Sequence, residues 1–190
     1  MDAVGTADRG TFRRGDVAEV IYYVAASLDG FIATSDGGVE WLEPFQATGS
    51  DYGFNSFYPR IDALVMGSRT YEQTLTFGPS PYAGKRTLVL STRELPSSAG
   101  VEIADLSPEA AIGHLTVAGA SKIWLVGGGE LAGSFAREGL VDRYIISVMP
   151  VLLGSGVPLL GAQGASGSLS LEEVERIGEV VQSTYRCSGA

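Results

Sequence analysis

Cysteine and histidine are almost absent from this 190-residue chain. The single cysteine, Cys187, excludes an internal disulfide and a thiolate metal cluster, and it fits the reducing cytoplasm, where we expect the protein to reside. The single histidine, His114, lies in a segment whose Ser107 and Pro108 are typical of a helix start, so we expect a helix-surface residue. Zinc hydrolysis and Ser-His-Asp or Cys-His catalysis are therefore poorly supported.

Positive charge is also scarce, with 13 Lys and Arg residues against 22 Asp and Glu residues and a net charge of −9. A nucleic-acid partner is not expected, because neutralising phosphates needs a basic surface. An anionic ligand would need a local positive pocket. The uncharged stretch from Tyr144 to Leu171 is interrupted by Pro150, Gly154 and Pro158, so we expect a buried strand and a loop rather than a membrane helix.

The chain is 45% hydrophobic, which suits one domain with a sizeable core. Residues 1–19 combine mixed charge and glycine without the apolar run of a signal peptide. We expect a mobile tail over 1–19 and a single domain over 20–190.

Short apolar runs rich in β-branched and aromatic residues predict buried strands. They are VIYYVAA, DALVMG, RTLVLST, VEIA, KIWLVG and RYIISVMPV. Helices are predicted between them, over Asn55–Arg60, Ser68–Thr76, Pro108–Ala118 and Gly129–Glu138. This alternation predicts an α/β fold with a mostly parallel sheet. The C-terminal runs on either side of RIGE predict an antiparallel hairpin at one sheet edge.

Three consecutive glycines, Gly127, Gly128 and Gly129, follow the KIWLV strand and precede a predicted helix. Backbone N–H groups at such a strand-to-helix turn can hold an anion. With Ala132, the glycines match G-x-G-x-x-A, but the next strand ends in SVMPV and lacks the acid that ordinarily holds the ribose. The alternative is a tight turn without a ligand.

Two other predicted strand ends carry GSRTYE and LSTRE. Arg69 and Arg93 in these segments suit a phosphate, because a guanidinium offers a fork of donors that matches its oxygens. For either arginine the alternative is an exposed salt bridge.

Four motifs of the chain together resemble those of a known family. VAASLDGFIATSDGGVEWL, DALVMGSRTYE, LVGGGEL and DRYIISVMPVLLGSGVPLL occur in this order between Val20 and Arg186. Together they look like the dihydrofolate reductase-like proteins, which include the reductase domain of the riboflavin-pathway deaminase/reductase. The resemblance implies a twisted sheet of about eight strands with helices on both faces, NADPH as hydride donor and frequently a homodimer.

The resemblance assigns cofactor contacts to matching motifs. Cofactor phosphates would be bound by Gly67, Ser68, Arg69 and Thr70. The adenosine and its 2′-phosphate would be surrounded by Leu90, Ser91, Thr92 and Arg93. The pyrophosphate would be held by Gly127, Gly128 and Gly129, with a cis peptide joining Gly127 and Gly128. Glu130 and Leu131 would begin the helix that points at it, and Val126 would also contact the cofactor. The nicotinamide would be flanked by Ala26 and Ile32, and Gly156 would close over the cofactor. Ser68 stands where dihydrofolate reductases usually have arginine, which would shift phosphate contacts by one residue or weaken the preference for NADPH over NADH.

The substrate acid is the least determined part of the resemblance. Dihydrofolate reductase anchors its pterin with one carboxylate, and the matching position is Gln46 counting from Trp41 or Asp51 counting back from Met66–Gly67. Asp51 is therefore the candidate for orienting or protonating substrate, with a helix-capping role as the alternative. Asp29 is the second catalytic candidate, and an ordinary Asp-Gly turn is its alternative.

Aromatic side chains are expected to form an apolar wall that excludes water from hydride transfer, with ordinary core packing as the alternative. They are Trp41, Phe54, Phe57 and Tyr58. Ser147 falls where related enzymes place a hydroxyl beside the substrate carboxylate. A strand residue that faces a helix is the alternative for Ser147.

The sequence thus predicts an NADPH-dependent reductase that transfers a hydride to a C=N or C=O group of a small heterocyclic or sugar-derived substrate. Folate itself is disfavoured without a secure carboxylate anchor, and the phosphorylated riboflavin-pathway pyrimidine is disfavoured without a second basic cluster near GGVEWL. The alternatives are a non-catalytic nucleotide-binding or dimerisation module, and a domain that binds no nucleotide.

Overall fold

The computed structural model describes residues 17–78, 82 and 84–188. Most of the predicted N-terminal tail, residues 1–16, lies outside the described residues. Val17 packs against the core, Ala18 is buried and Glu19 begins the first strand, so these three residues of the predicted tail pack with the domain.

Ten strands and five α-helices form the described part of the chain. The strands are β1 (Glu19–Ser27), β2 (Phe31–Ala33), β3 (Ala63–Gly67), β4 (Arg86–Leu90), β5 (Val101–Ala104), β6 (Lys122–Gly127), β7 (Arg143–Met149), β8 (Val157–Pro158), β9 (Leu169–Ile177) and β10 (Val180–Cys187). The helices are α1 (Glu43–Gln46), α2 (Phe54–Phe57), α3 (Ser68–Thr76), α4 (Pro108–Val117) and α5 (Gly129–Arg137). Short 3-10 turns cover Glu40–Leu42 and Tyr58–Arg60.

One eight-stranded sheet organises the molecule, in the order β5-β4-β3-β6-β1-β7-β10-β9. The strands from β5 to β7 run parallel, and β10 pairs antiparallel with both β7 and β9. The predicted mostly parallel sheet and C-terminal hairpin are therefore confirmed. The short strands β2 and β8, which the sequence did not predict, form a separate antiparallel ladder.

Helices cover both faces of the sheet because the central strands bury alternate residues on opposite sides. Val20 and Tyr22 of β1 pack in the cluster that holds the buried side chains of α4 and α5. Ile21 and Tyr23 belong to a second cluster that includes Phe57 of α2.

The predicted helices agree closely with the structure except at Asn55–Arg60. Helix α3 has the predicted bounds, and Gly139 follows α5 with φ 67°, the left-handed conformation that favours glycine at a helix end. The segment 55–60 divides into α2 and a 3-10 turn. Pro59 explains the division, because it lacks the N–H that a continuous α-helix would use.

The described residues contain no helix long and apolar enough to cross a bilayer. The strands β4, β3, β6 and β1 run parallel, so their carboxyl ends lie at one edge of the sheet. Gly67 pairs with Leu90 across this edge, and Met66 pairs with Gly127. Three of the predicted cofactor segments therefore begin side by side.

Candidate functional site

The turns after β3 and β6 lie against each other. A Cβ added at Gly128 would lie 3.4 Å from Thr70 Oγ1 in the first turn of α3, and one added at Gly67 would lie 4.0 Å from the Leu131 side chain in α5. The structure thus brings the predicted segments Gly67–Thr70 and Gly127–Leu131 together, with Leu90 next to Gly67 in the neighbouring strand.

Both helices at this edge begin without a side-chain cap. Gly67 precedes α3 and Gly128 precedes α5, and neither position supplies a side-chain acceptor to the first N–H groups. Helix α4 differs, because Ser107 Oγ accepts a hydrogen bond of 3.2 Å from Ala110 N. First-turn N–H groups carry partial positive charge and need acceptors. Two uncapped helix starts side by side form a backbone cradle suited to an anion.

The three glycines have different structural tasks. Gly127 and Gly128 have φ values of 145° and 85°, which L-residues rarely adopt. Gly129 is buried against the Pro158 carbonyl, and a Cβ there would come closer than 3.0 Å to that oxygen. The predicted cis peptide between Gly127 and Gly128 is wrong, since the described residues contain no cis peptide. Two glycines at positive φ turn the chain without one.

A hollow of about 360 Å³ adjoins the cradle at the carboxyl end of β4. Its lining residues are Ser68, Leu90, Ser91, Thr92, Arg93, Asp105 and Leu106. Arg93 Nη2 lies 2.7 Å from Glu72 Oε2, so the exposed salt bridge given as the alternative for Arg93 is present. Arg69 is exposed and makes no ion pair with any residue that the structure describes, which leaves its guanidinium available.

The residues predicted to contact the nicotinamide are largely packed. Ala26 is buried in the α4 and α5 cluster, and Ile32 packs at its margin. Gly156 lies directly against the Ala33 carbonyl, so this glycine is required by the close approach of β2 to the chain before β8. The role of these positions beside a nicotinamide stays a prediction.

Asp29 fastens the end of β1 to the segment after β7. Its carboxylate accepts hydrogen bonds from Ser27 Oγ at 2.6 Å, from Leu153 N at 3.1 Å and from Gly154 N at 2.7 Å. The Ser27 hydroxyl and these N–H groups hold the pKa of Asp29 below its ordinary value. An ionised carboxylate with three donors is a poor proton source, and Gly30 N donates to the Ser27 carbonyl at 2.9 Å, so the structure favours the turn alternative.

Asp51 caps the start of α2. Its carboxylate accepts from Asn55 N at 2.7 Å and from Gly53 N at 3.3 Å, and these bonds lower its pKa. The structure therefore favours the helix-capping alternative for Asp51 as well. Gln46, the competing position, is exposed at the end of α1 and offers no carboxylate.

The four aromatic residues predicted to form an apolar wall do not lie together on one surface. Phe57 is buried, with its ring 4.6 Å from Tyr23 and 5.5 Å from Trp124, so it is a core residue rather than a wall. Phe54 and Tyr58 stack at 5.2 Å and are half-buried at the margin of this cluster. Trp41 makes no ring contact with them among the described residues, and its buried Nε1 has no hydrogen-bond partner there.

Ser147 belongs to a polar network that the sequence did not reveal. Gln182 Nε2 donates to Ser147 Oγ at 2.8 Å and to the Tyr52 carbonyl at 2.9 Å, and Tyr23 Oη donates to the same carbonyl at 2.5 Å. Tyr52 has φ 49°, an uncommon value for a residue with a side chain. The network therefore holds a strained turn before α2 against the sheet. Gln182 pairs directly with Ser147 across β10 and β7. The network could have been predicted only from the register of these two strands.

The Asp29 hydrogen bonds predict a pH-dependent stability. Because the folded pKa lies below the ordinary value of 3.8, the ionised form stabilises the native state above that pH, and the contribution is lost as the pH falls through the folded pKa. We expect Asp29→Asn to lower Tm at neutral pH, because the amide NH2 group that replaces one carboxylate oxygen cannot accept the hydrogen bonds made there by backbone N–H groups. This difference should shrink between about pH 5 and about pH 3, as measured by thermal unfolding.

The control for Asp29→Asn is Glu173→Gln, which removes a charge from the exposed strand β9 and breaks no side-chain hydrogen bond of the described residues. Its Tm should follow that of the unmodified chain at every pH. A constant gap between Asp29→Asn and the unmodified chain from neutral to acid pH would show that ionised Asp29 does not hold the loop.

The chain is similar in sequence and structure to known proteins. The Bacillus subtilis protein YwjB is 34% identical over 169 residues, which covers 88% of this chain and 97% of YwjB. The crystal structure of a candidate riboflavin biosynthesis protein from Shewanella sp. PV-4 matches with a TM-score of 0.81 and 31% identity, covering 90% of this chain and 99% of that one.

The fold is also that of dihydrofolate reductase. The Enterococcus faecalis enzyme complexed with NADP(H) matches with a TM-score of 0.65 over 90% of this chain and 97% of its own, at 16% identity. The predicted dihydrofolate reductase-like α/β fold is thereby confirmed. The profile of the RibD C-terminal domain matches residues 83–183, which is more than half of the chain. The chain therefore belongs to the RibD C-terminal domain family.

Proposed function

We propose that this protein is an NADPH-dependent reductase that transfers a hydride to a C=N or C=O carbon of a small heterocyclic or sugar-derived substrate. Family membership supports a reductase. The solved dihydrofolate reductase of the same fold is a complex with NADP(H), which supports the choice of cofactor. The substrate class and the transfer of the hydride to it are part of this proposal.

The observation that carries the proposal is the pair of uncapped helix starts at Gly67 and Gly128. A pyrophosphate between them would accept from first-turn N–H groups of α3 and α5 and add its charge to the positive end of both helix dipoles. The space beside Gly127 is open, because an added Cβ there would meet no atom within 4 Å. The residues present therefore fit a dinucleotide diphosphate.

A bound NADPH would supply the hydride, and the protein would mainly align the two reactants. Arg69, exposed on the first turn of α3, would bind a phosphate oxygen. Asp29 would hold Leu153 and Gly154 beside the end of β1 through its two hydrogen bonds with their N–H groups. The Tyr23, Gln182 and Tyr52 network would fix the turn before α2 in the same way.

Proton delivery to the substrate would not come from Asp29 or Asp51 in this proposal. Both carboxylates accept backbone N–H bonds and have a lowered pKa, so they would be ionised at neutral pH. Water reaching the open edge of the sheet would supply the proton instead. A substrate whose nitrogen or oxygen accepts a proton from water after hydride transfer fits this arrangement.

A second candidate is a nucleotide-binding or dimerisation module without turnover. The specific observation in its favour is that neither candidate acid is available as a proton donor. Both readings require cofactor binding. They differ in whether NADPH is oxidised when pterins, quinones and imines are offered.

The decisive experiment is a fluorescence titration of the purified chain with NADPH and with NADH. We expect saturable binding of NADPH in the micromolar range, which corresponds to about −8 kcal/mol. Oxidation of NADPH with one of the offered substrates would then separate the reductase from the module. A folded chain that binds neither cofactor would refute both functions.

We further propose that the protein forms a homodimer through the hairpin of β9 and β10. Strand β9 is one edge of the sheet, and its register on β10 places the exposed side chains of Leu171, Val174 and Val181 on one face of the hairpin. Sedimentation equilibrium should give twice the 19.9 kDa mass of one chain, and Leu171→Glu should shift the mass toward one chain. A mass of one chain for the unmodified protein at all concentrations would exclude the dimer.

A further inference from the structure

Arg93 is the only arginine that lines the hollow beside the cradle among the described residues, and it is already engaged. Its Nη2 lies 2.7 Å from Glu72 Oε2, with the two side chains 53% and 43% exposed. Asp105 lines the same hollow, and Glu94 lines the adjoining one next to Arg93. The one arginine in the lining of this hollow is therefore paired with a carboxylate and shares the hollow with a second one.

We propose that Glu72, by holding the Arg93 guanidinium, sets how strongly the site discriminates between NADPH and NADH. This inference rests on the proposed function, because it concerns the end of the cofactor that would reach the hollow. A 2′-phosphate approaching Arg93 must displace Glu72 or share the guanidinium with it. A 2′-hydroxyl has no such competitor and can itself donate a hydrogen bond to a carboxylate.

The exposure of the pair decides the size of the effect. A solvent-exposed ion pair is weak because water screens its charges, so a phosphate can displace Glu72 from Arg93. The 2′-phosphate would also meet the charges of Glu72 and Asp105, whose repulsion weakens as salt is added. Glu72 should thus reduce the preference for NADPH without abolishing it.

Glu72 lies on α3 one turn beyond Arg69, and it does not belong to the backbone cradle. The cradle should bind the diphosphate of either cofactor, since that group is common to both. The ratio of the two dissociation constants therefore isolates the contribution of the hollow. Any change that acts through the cradle would alter both constants together.

The test is the ratio of the NADH to the NADPH dissociation constant in the full chain at low salt. Glu72→Gln should raise this ratio about two- to fivefold, mainly by tightening NADPH binding, as expected for the loss of an exposed ion pair. Glu94→Gln is the matched control, because it removes the same charge next to Arg93 without breaking the ion pair. Its ratio should change by less. In an Arg93→Gln background, Glu72→Gln should have little further effect, and the gain should diminish with added salt.

The outcomes separate the two proposals. Equal ratios in Glu72→Gln and Glu94→Gln, with both cofactors bound, would overturn the role of Glu72 and leave the reductase proposal standing. A Glu72→Gln effect that persists without Arg93 would also overturn it. Failure of the folded, unmodified chain to bind either cofactor would remove the proposed function and this inference together.

Discussion

Replacing Gly129 with alanine should destabilise the protein by about 3 kcal/mol or more, the upper end of what overpacking a core costs. The added Cβ would lie closer than 3.0 Å to the Pro158 carbonyl oxygen, 3.1 Å from Val157 Cγ1 and 3.3 Å from Gly161 N. Two of these atoms belong to the backbone and cannot rotate away. Tm should fall by roughly 6–12 °C, because about 1 kcal/mol corresponds to 2–4 °C in a chain of this size.

The matched control is Gly167→Ala. Gly167 has no positive φ, and an added Cβ would meet no atom within 4 Å. Alanine there should leave Tm unchanged or raise it slightly, since it reduces the entropy of the unfolded chain. Thermal unfolding of the two variants compares the same added methyl group in a filled and an open space. If Gly129→Ala kept the Tm of Gly167→Ala, the close contact of α5 with β8 would be disproved.

The contact between Gly129 and Pro158 explains why the sequence revealed the glycine run but not the reason for its third glycine. Its position after a buried strand predicted a strand-to-helix turn, which the structure confirms. The reason for the third glycine is the carbonyl of Pro158, which lies 29 positions further along the chain in β8, a strand of two residues. Such a short strand has no periodicity to read, so neither it nor its contact was predictable.

The surroundings of Asp29 and Asp51 were hard to predict for a related reason. Asp29 and Asp51 were recognised as acids near turns, and the capping bond given as the alternative for Asp51 is present. Whether a carboxylate is free depends on which N–H groups surround it. For Asp29 these come from Leu153 and Gly154, more than 120 positions away in sequence. Local propensity located the loops, and tertiary contacts decided their chemistry.

The parallel order of the sheet explains why the sequence could predict that the cofactor segments lie next to one another. Their members share one local pattern, a buried strand followed by a small residue and a helix or loop. Parallel strands that pair in register must place these patterns at one edge. Gly67, Leu90 and Gly127 therefore became neighbours once the strands were correctly identified.

Replacing Gly128 with valine should weaken NADPH binding at least about tenfold, because each lost hydrogen bond to a charged group costs about 1.5–3 kcal/mol. The side chain would stand between the two uncapped helix starts, with its Cβ 3.4 Å from Thr70 Oγ1. A branched side chain at φ 85° also strains the turn that aims the N–H groups of α5. Affinity should be measured by NADPH fluorescence, alongside circular dichroism to confirm folding.

The control for Gly128→Val must carry the same backbone strain away from the site. Gly119 after α4 has φ 93°, is exposed, and would meet no atom within 4 Å of an added Cβ. Gly119→Val should therefore lose a similar amount of stability and keep its cofactor affinity. If both variants fold, equal affinities would mean that the diphosphate binds elsewhere. A selective loss in Gly128→Val would locate it between α3 and α5, where two helix dipoles act on one anion and an acidic protein needs few basic side chains to bind it.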